Sequence, residues 1–252
     1  FYGCTGLTSI VLPDTIVEIG NYAFNNCKNL QSVQFSDSIK KIEWYAFQDC
    51  SKLKNVKLPK DLETLGAGAF KNCDAITAIK IPKSLQDTNS PFQDCDGLSD
   101  VQFEEGTMNV VARLFYGCTG LTSIVIPDTI TEIGQYAFSE CTKLSNVTLP
   151  GNLQVLGTST FKNCDALTSI KIPKSLGLTN TFGIGPFNSC DNLKNVNFEK
   201  GIAKIPSFLF EYCTGLEEIT IPDSVTAIGH YAFANCENLR YVQVTDGVKS
   251  IE

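Results

Sequence analysis

Eleven cysteines divide the chain at almost constant intervals: Cys4, Cys27, Cys50, Cys73, Cys95, Cys118, Cys141, Cys164, Cys190, Cys213 and Cys236. Successive steps are 23 residues, except 22 from Cys73 to Cys95 and 26 from Cys164 to Cys190. A period of this length held end to end restricts the fold to stacked coils. One such unit cannot enclose a core by itself and must bury its apolar side against the next.

The other apolar residues keep the same register. A Phe stands three residues before every Cys, from Phe1 to Phe233, and Leu stands three after it, with Ile76 the exception. Ile or Val follows at six and another apolar residue at eight, as in Leu7-Ile10-Leu12. Pro comes next in seven repeats: Pro13, Pro59, Pro82, Pro127, Pro150, Pro173 and Pro222. The alternation predicts a short strand, which Pro ends because it has no N–H to donate to a ladder. Ile19-Gly20, Leu65-Gly66, Ile133-Gly134 and Ile228-Gly229 are read as turns in which glycine supplies a positive φ. The Y-A-F-x-x-C segment has the spacing of one helical or 3-10 turn. Each coil is therefore expected to run strand, turn, extended segment, short helical turn.

The stretch from Ile126 to Pro150, I-P-D-T-I-T-E-I-G-Q-Y-A-F-S-E-C-T-K-L-S-N-V-T-L-P, resembles a leucine-rich repeat of the 23-residue Treponema pallidum type found in BspA-like surface proteins. The resemblance extends over essentially the whole chain. It implies a β-rich right-handed solenoid of about eleven coils, with a parallel sheet on one face and short helical or 3-10 turns on the other. Residues 1–252 are expected to form a single leucine-rich-repeat domain. The chain starts and stops in mid-repeat without polar capping coils, so it is read as a fragment of a longer protein, uncapped at both ends.

Duplication is visible above the single repeat. Residues 1–24 and 115–138 are identical at 21 of 24 positions, and Phe70 to Leu85 closely matches Phe161 to Leu176. The short and long irregular coils, Thr88 to Phe92 and Thr179 to Phe187, follow these blocks. Sister repeats thus serve as internal controls for unusual residues.

That control weighs against chemistry. Each Cys is alone in its repeat and His230 is the single histidine, which does not suit a zinc site. Disulfides between adjacent coils are geometrically conceivable, but the shared register beside Phe and Leu favours a ladder of buried thiols. Asn21 and Gln135 occupy the place of His230 in sister coils, so His230 is read as an exposed turn residue. Recurrent carboxylates at Asp14, Asp128 and Asp223 and at Asp74, Asp96, Asp165 and Asp191 suit turns and caps. No nucleophile motif or phosphate loop is present. The reading is non-enzymatic, without cofactor or metal. Asn146-Val147-Thr148 is a glycosylation triplet on a strand, to which no role is given.

A net charge of −7 disfavours nucleic acid or an anionic membrane as partner, and with no apolar run long enough to span a bilayer, direct membrane insertion by this stretch is not expected. Lys57, Lys80 and Lys171 are read as interleaved with acids rather than as a basic stripe. Outward strand positions, four, five and seven after each Cys, are mostly small and polar. Lys194, Glu217, Glu218, Arg240 and Tyr241 depart from this with charge and an aromatic, the types enriched at binding hot spots, and are the expected partner-binding residues. Trp44, among tyrosines of one register (Tyr22, Tyr45, Tyr136, Tyr231), is the expected exposed aromatic and would serve a sugar. Leu178, Phe182 and Ile184 lie on the Gly-rich long coil, which reads as structural drift.

The resemblance implies a cell-surface or secreted interaction module for adhesion to or recognition of a host or neighbouring-cell protein, a host extracellular-matrix protein among the candidates. A spacer displaying another domain is the alternative, and a carbohydrate-binding surface the third reading.

Overall fold

The computed structural model describes residues 1–180 and 183–252. Phe182 lies outside the described residues, as does the side chain of Leu178. The chain divides into two compact units, one of Phe1–Thr107 with Val111–Thr122, the other of Met108–Val110 with Ser123–Glu252.

In the first unit the expected strands form parallel pairs, Ser9–Val11 with Ser32–Gln34 and Ala78–Ile81 with Asp100–Phe103. In the second they are Ser123–Val125 with Asn146–Thr148, Ser169–Ile172 with Asn195–Phe198, and Glu218–Thr220 with Tyr241–Gln243. Partners occupy equivalent repeat positions, Ile10 opposite Val33 and Ile219 opposite Val242. The pleat therefore sends the Ile/Val of each strand inward and its neighbours outward.

A second row of parallel strands falls on the segment expected to be merely extended. Glu18–Ile19, Lys41–Ile42, Thr64–Leu65 and Asp87–Thr88 form one sheet in the first unit. Asn109–Val110, Glu132–Ile133, Val155–Gly157 and Leu178–Asn180 form one in the second, where Lys204–Ile205, Ala227–Ile228 and Ser250–Ile251 form another. Both units are parallel β-solenoids.

The expected helical turn is corrected by the structure, since no helix occurs among the described residues. Around Y-A-F-x-x-C the N–H groups alternate. Those of Ala23, Asn25 and Cys27 close turns onto Gly20, Tyr22 and Phe24, whereas those of Tyr22, Phe24 and Asn26 donate to Trp44, Ala46 and Gln48 of the next coil. A helix directs every N–H back along its own chain; here every second one is committed to the neighbouring coil. That alternation needs left-handed residues. The residue before Cys has positive φ in every coil, from Gly3 (69°) and Asn26 (61°) to Asn235 (57°). Tyr22, Tyr45, Tyr136 and Tyr231 are also left-handed, at 54–57°.

The glycine reading is corrected with it. Gly20, Gly66, Gly134 and Gly229 are not among the positive-φ residues. Close approach explains Gly66 and Gly229 instead: a Cβ on Gly66 would sit 2.7 Å from the Glu43 carbonyl carbon, and one on Gly229 would sit 2.7 Å from the Ser207 nitrogen, whereas Gly20 has nothing within 4 Å of a Cβ.

Phenylalanines fill the core as one column in each unit. Phe24, Phe47 and Phe70 stack at centroid distances of 5.0 and 5.2 Å, and Phe138, Phe161 and Phe187 at 5.3 and 5.2 Å. All cysteines are free thiols and all but Cys4 are buried. Buried thiols donate to a Phe carbonyl one coil back, as Cys50 does to Phe24 at 3.2 Å and Cys190 to Phe161 at 3.1 Å. Burial pushes the thiols up, Cys95 and Cys190 to about 12, because a thiolate there would lose its hydration. They are the buried ladder that the register suggested, and they pack as small apolar groups.

Candidate interaction surface

Residues four and five after Cys precede the inward Ile/Val and face solvent. In the last three coils of the second unit they read Lys194-Asn195, Glu217-Glu218 and Arg240-Tyr241. The ladder sets Glu218 opposite Tyr241, and the backbone N–H of Arg240 donates to the Glu217 carbonyl at 2.8 Å. Stacking thus turns residues 23 apart into neighbours. These six residues line one shallow depression of about 450 Å³.

One column of the depression carries Lys194, Glu217 and Arg240, charges of alternating sign; the other carries Asn195, Glu218 and Tyr241. All six are exposed, Tyr241 at 59%. Among the described residues none of the four charged side chains has an ion-pair partner, the pairs lying elsewhere, as at Lys40–Asp61 and Lys71–Asp94. Their charges are available to an incoming surface.

Trp44 lies in the first unit. It is 57% exposed, and its backbone N–H donates to Asn21 Oδ1 at 3.0 Å. Its ring covers Gly66, where a Cβ would meet Trp44 Cδ1 at 2.8 Å, and the Tyr45 ring covers Gly68, where a Cβ would meet it at 2.6 Å. Tyr45 stacks on Tyr22 with centroids 5.3 Å apart, as their shared register requires. Trp44 is not singular in exposure, since Tyr231 is 63% exposed. The sequence signal for this patch is Ala67-Gly68 standing where sister coils carry bulkier residues, such as Asn21-Tyr22 and Gln135-Tyr136.

The remaining candidates are structural. His230 is exposed and its Nε2 lies 3.6 Å from Glu252 Oε2. Asp14 accepts from the Ser36 hydroxyl and Asp191 from the Thr214 hydroxyl, both at 2.8 Å, and Asp128 accepts from the Gly151 N–H. These carboxylates tie adjacent coils together. Ile184 is 37% exposed.

One grouping escaped the sequence reading. Lys57, Lys60 and Lys80 line a depression of about 130 Å³ with Leu58, Pro82 and Glu104. Lys57 and Lys80 share a register in adjacent coils, so they stand side by side rather than interleaved with acids.

Sequence and structure comparisons converge. The pattern described as "BspA type Leucine rich repeat region" matches in six copies, over residues 1–91, 88–182 and 178–252. A leucine-rich repeat protein from Bacteroides ovatus is similar at 28% identity and a TM-score of 0.64, over 100% of this chain and 76% of that one. A Treponema pallidum leucine-rich repeat protein is similar at 28% identity and a TM-score of 0.50, over 69% and 72% of the two chains. One from Eubacterium ventriosum shares the fold at 23% identity and a TM-score of 0.58, over 97% and 68%. No curated protein matches significantly.

Proposed function

Because the chain belongs to the BspA-type leucine-rich repeat family, a non-catalytic scaffold for protein interaction, we propose that it is a recognition module of the cell surface or secreted space. In this reading it binds a protein, such as a host extracellular-matrix protein, through the face of Lys194, Glu217, Glu218, Arg240 and Tyr241. The observation that carries the reading is the convergence of these residues in one depression with their charges unpaired. A partner of complementary alternating charge would desolvate Tyr241, and aromatic and arginine groups that become buried in a contact carry much of the binding energy.

Binding to immobilised extracellular-matrix proteins at physiological salt tests it. A saturable signal that weakens tenfold or more with Tyr241→Ala and with Glu218→Lys is expected. A signal indifferent to both variants would move the site elsewhere, and silence across the panel would favour a spacer. The glycine-backed Trp44 and Tyr45 rings support a second reading as a sugar platform; a glycan signal lost with Trp44→Ala would favour it.

A further inference from the structure

The lysine-lined depression of the first unit has a sister in the second. There Val147, Thr148, Leu149, Gly151, Lys171, Pro173 and Glu199 line the corresponding hollow. The two coils share x-Asn-Val-x-Leu-Pro, residues 54–59 and 145–150. They differ in charge at three places: Lys54, Lys57 and Lys60 stand where the sister has Ser145, Thr148 and Gly151. Lys80 and Lys171 are common to both.

The backbone differs as well. Asn146–Thr148 is a strand paired with Ser123–Val125. Its counterpart in the first unit forms no strand, and Asn55 is left-handed at φ 56°. A left-handed residue leaves the ladder and re-aims the side chains on either side of it. The departure sits between Lys54 and Lys57, where the positive charge gathers.

Local acids cancel that charge only in part, Asp37 pairing with Lys60 at an Oδ2–Nζ distance of 3.8 Å. Glu104 Oε2 accepts from the Lys83 N–H at 3.0 Å, and Asp14 from Ser36. Lys54, Lys57, Lys80 and Lys83 are exposed and make no ion pair among the described residues. The net −7 of the chain does not prevent anion binding here, because charges beyond about 8 Å are largely screened at physiological salt.

We propose that Lys54, Lys57, Lys60 and Lys80 form a binding site for the sulfate groups of an acidic polysaccharide. Lysine ammonium groups are compact point charges that pair with a tetrahedral sulfate from any side. Planar carboxylates of an acidic peptide are better matched by the guanidinium fork, which is absent from the depression. Leu58 and Pro82 provide an apolar floor for the face of a sugar ring. The site belongs to the first unit and does not depend on the Glu218–Tyr241 face of the second.

The sister coil supplies the test. Dextran sulfate is the probe, with uncharged dextran and poly-glutamate as controls. Binding should weaken roughly thirtyfold between 50 and 200 mM salt if three ammonium groups release counterions. Lys54→Ser/Lys57→Thr/Lys60→Gly, which installs residues the fold already accepts one block away, should weaken it at least tenfold. The reverse variant, Ser145→Lys/Thr148→Lys/Gly151→Lys, should tighten it, and gives the reading even if the first variant misfolds. The site is overturned by no binding at 50 mM salt, by binding unchanged in both variants, or by poly-glutamate binding as tightly as dextran sulfate.

Discussion

Phe161 and Tyr241 are both aromatic, both belong to the second unit and both sit at fixed registers of the repeat, yet they answer to different constraints. Phe161 is wholly buried between Phe138 and Phe187, and every coil has the same residue in its place. Tyr241 is 59% exposed, and its counterparts are Glu218, Asn195 and Ser169. Stacking explains the contrast. A buried position must fit the copy of itself above and below, so one residue type propagates along the column. An outward position meets only solvent and its flanking neighbours, and each coil is free to differ. Identity along a register marks the fold, and difference along a register marks where the fold leaves room for recognition.

The strongest way to break the buried side of this comparison is alkaline pH in reductant. A thiol has an ordinary value of 9.0, and burial holds Cys95 and Cys190 at about 12, with Cys73, Cys164 and Cys213 well above 9.0. Above pH 9 the unfolded chain therefore binds fewer protons than the folded one, and stability falls as pH rises from 9 towards 12. At pH 10 the loss is about 1 kcal/mol each for Cys95 and Cys190, and Cys73, Cys164 and Cys213 add to it in the same direction, readable as a drop in urea midpoint. At pH 8 a thiol reagent should modify Cys4 alone until the chain unfolds. Fast labelling of several cysteines in the native state would sink the buried-ladder account.

Next in size is Phe161→Ala. It removes a fully buried ring with stacked neighbours on both sides, and should cost about 3–5 kcal/mol, measured by denaturant unfolding. Gly157→Ala is smaller. Its Cβ would lie 2.4 Å from the Gln135 nitrogen, and the required backbone shift should cost about 1–3 kcal/mol. Gly20 has nothing within 4 Å of a Cβ, so Gly20→Ala should change stability by less than about 0.5 kcal/mol. Equal costs at the two glycines would refute close approach as the reason for the Ile-Gly pair.

The buried column is legible in the sequence because its registers scarcely vary, Ile76 for Leu being the one change; Phe, Cys and Leu can be placed by counting. What was not legible depends on direction rather than polarity. Whether the N–H of Tyr22 closes a local turn or reaches Trp44 in the next coil leaves no mark on hydrophobic spacing, so the turn ladder was read as helical. A weaker mark was present: the residue before Cys is Gly, Asn or Asp in eight coils, among them Gly3, Asn26 and Asp94, the types that tolerate a left-handed backbone. The depression at Lys194, Glu217 and Arg240 could be assembled because its residues share two outward registers. The one at Lys57, Lys60 and Lys80 could not, since Lys60 lies beyond the strand and Asn55 leaves the ladder. Neither departure can be counted from a repeat.

The smallest expected change in stability sharpens the outward side. Tyr241→Ala removes a side chain that lies mostly in water and opposes Glu218 across a single strand pair. Folding should change by no more than about 0.5 kcal/mol, while affinity for a protein partner on that face falls tenfold or more. The two readouts must come from one variant, because a loss of binding alone could reflect an unfolded coil. If Tyr241→Ala lowered stability as much as Phe161→Ala, the outward register would be part of the core, and variation along it would carry no information about partners. Unchanged stability with lost affinity would place recognition in the residues the repeat leaves free to vary.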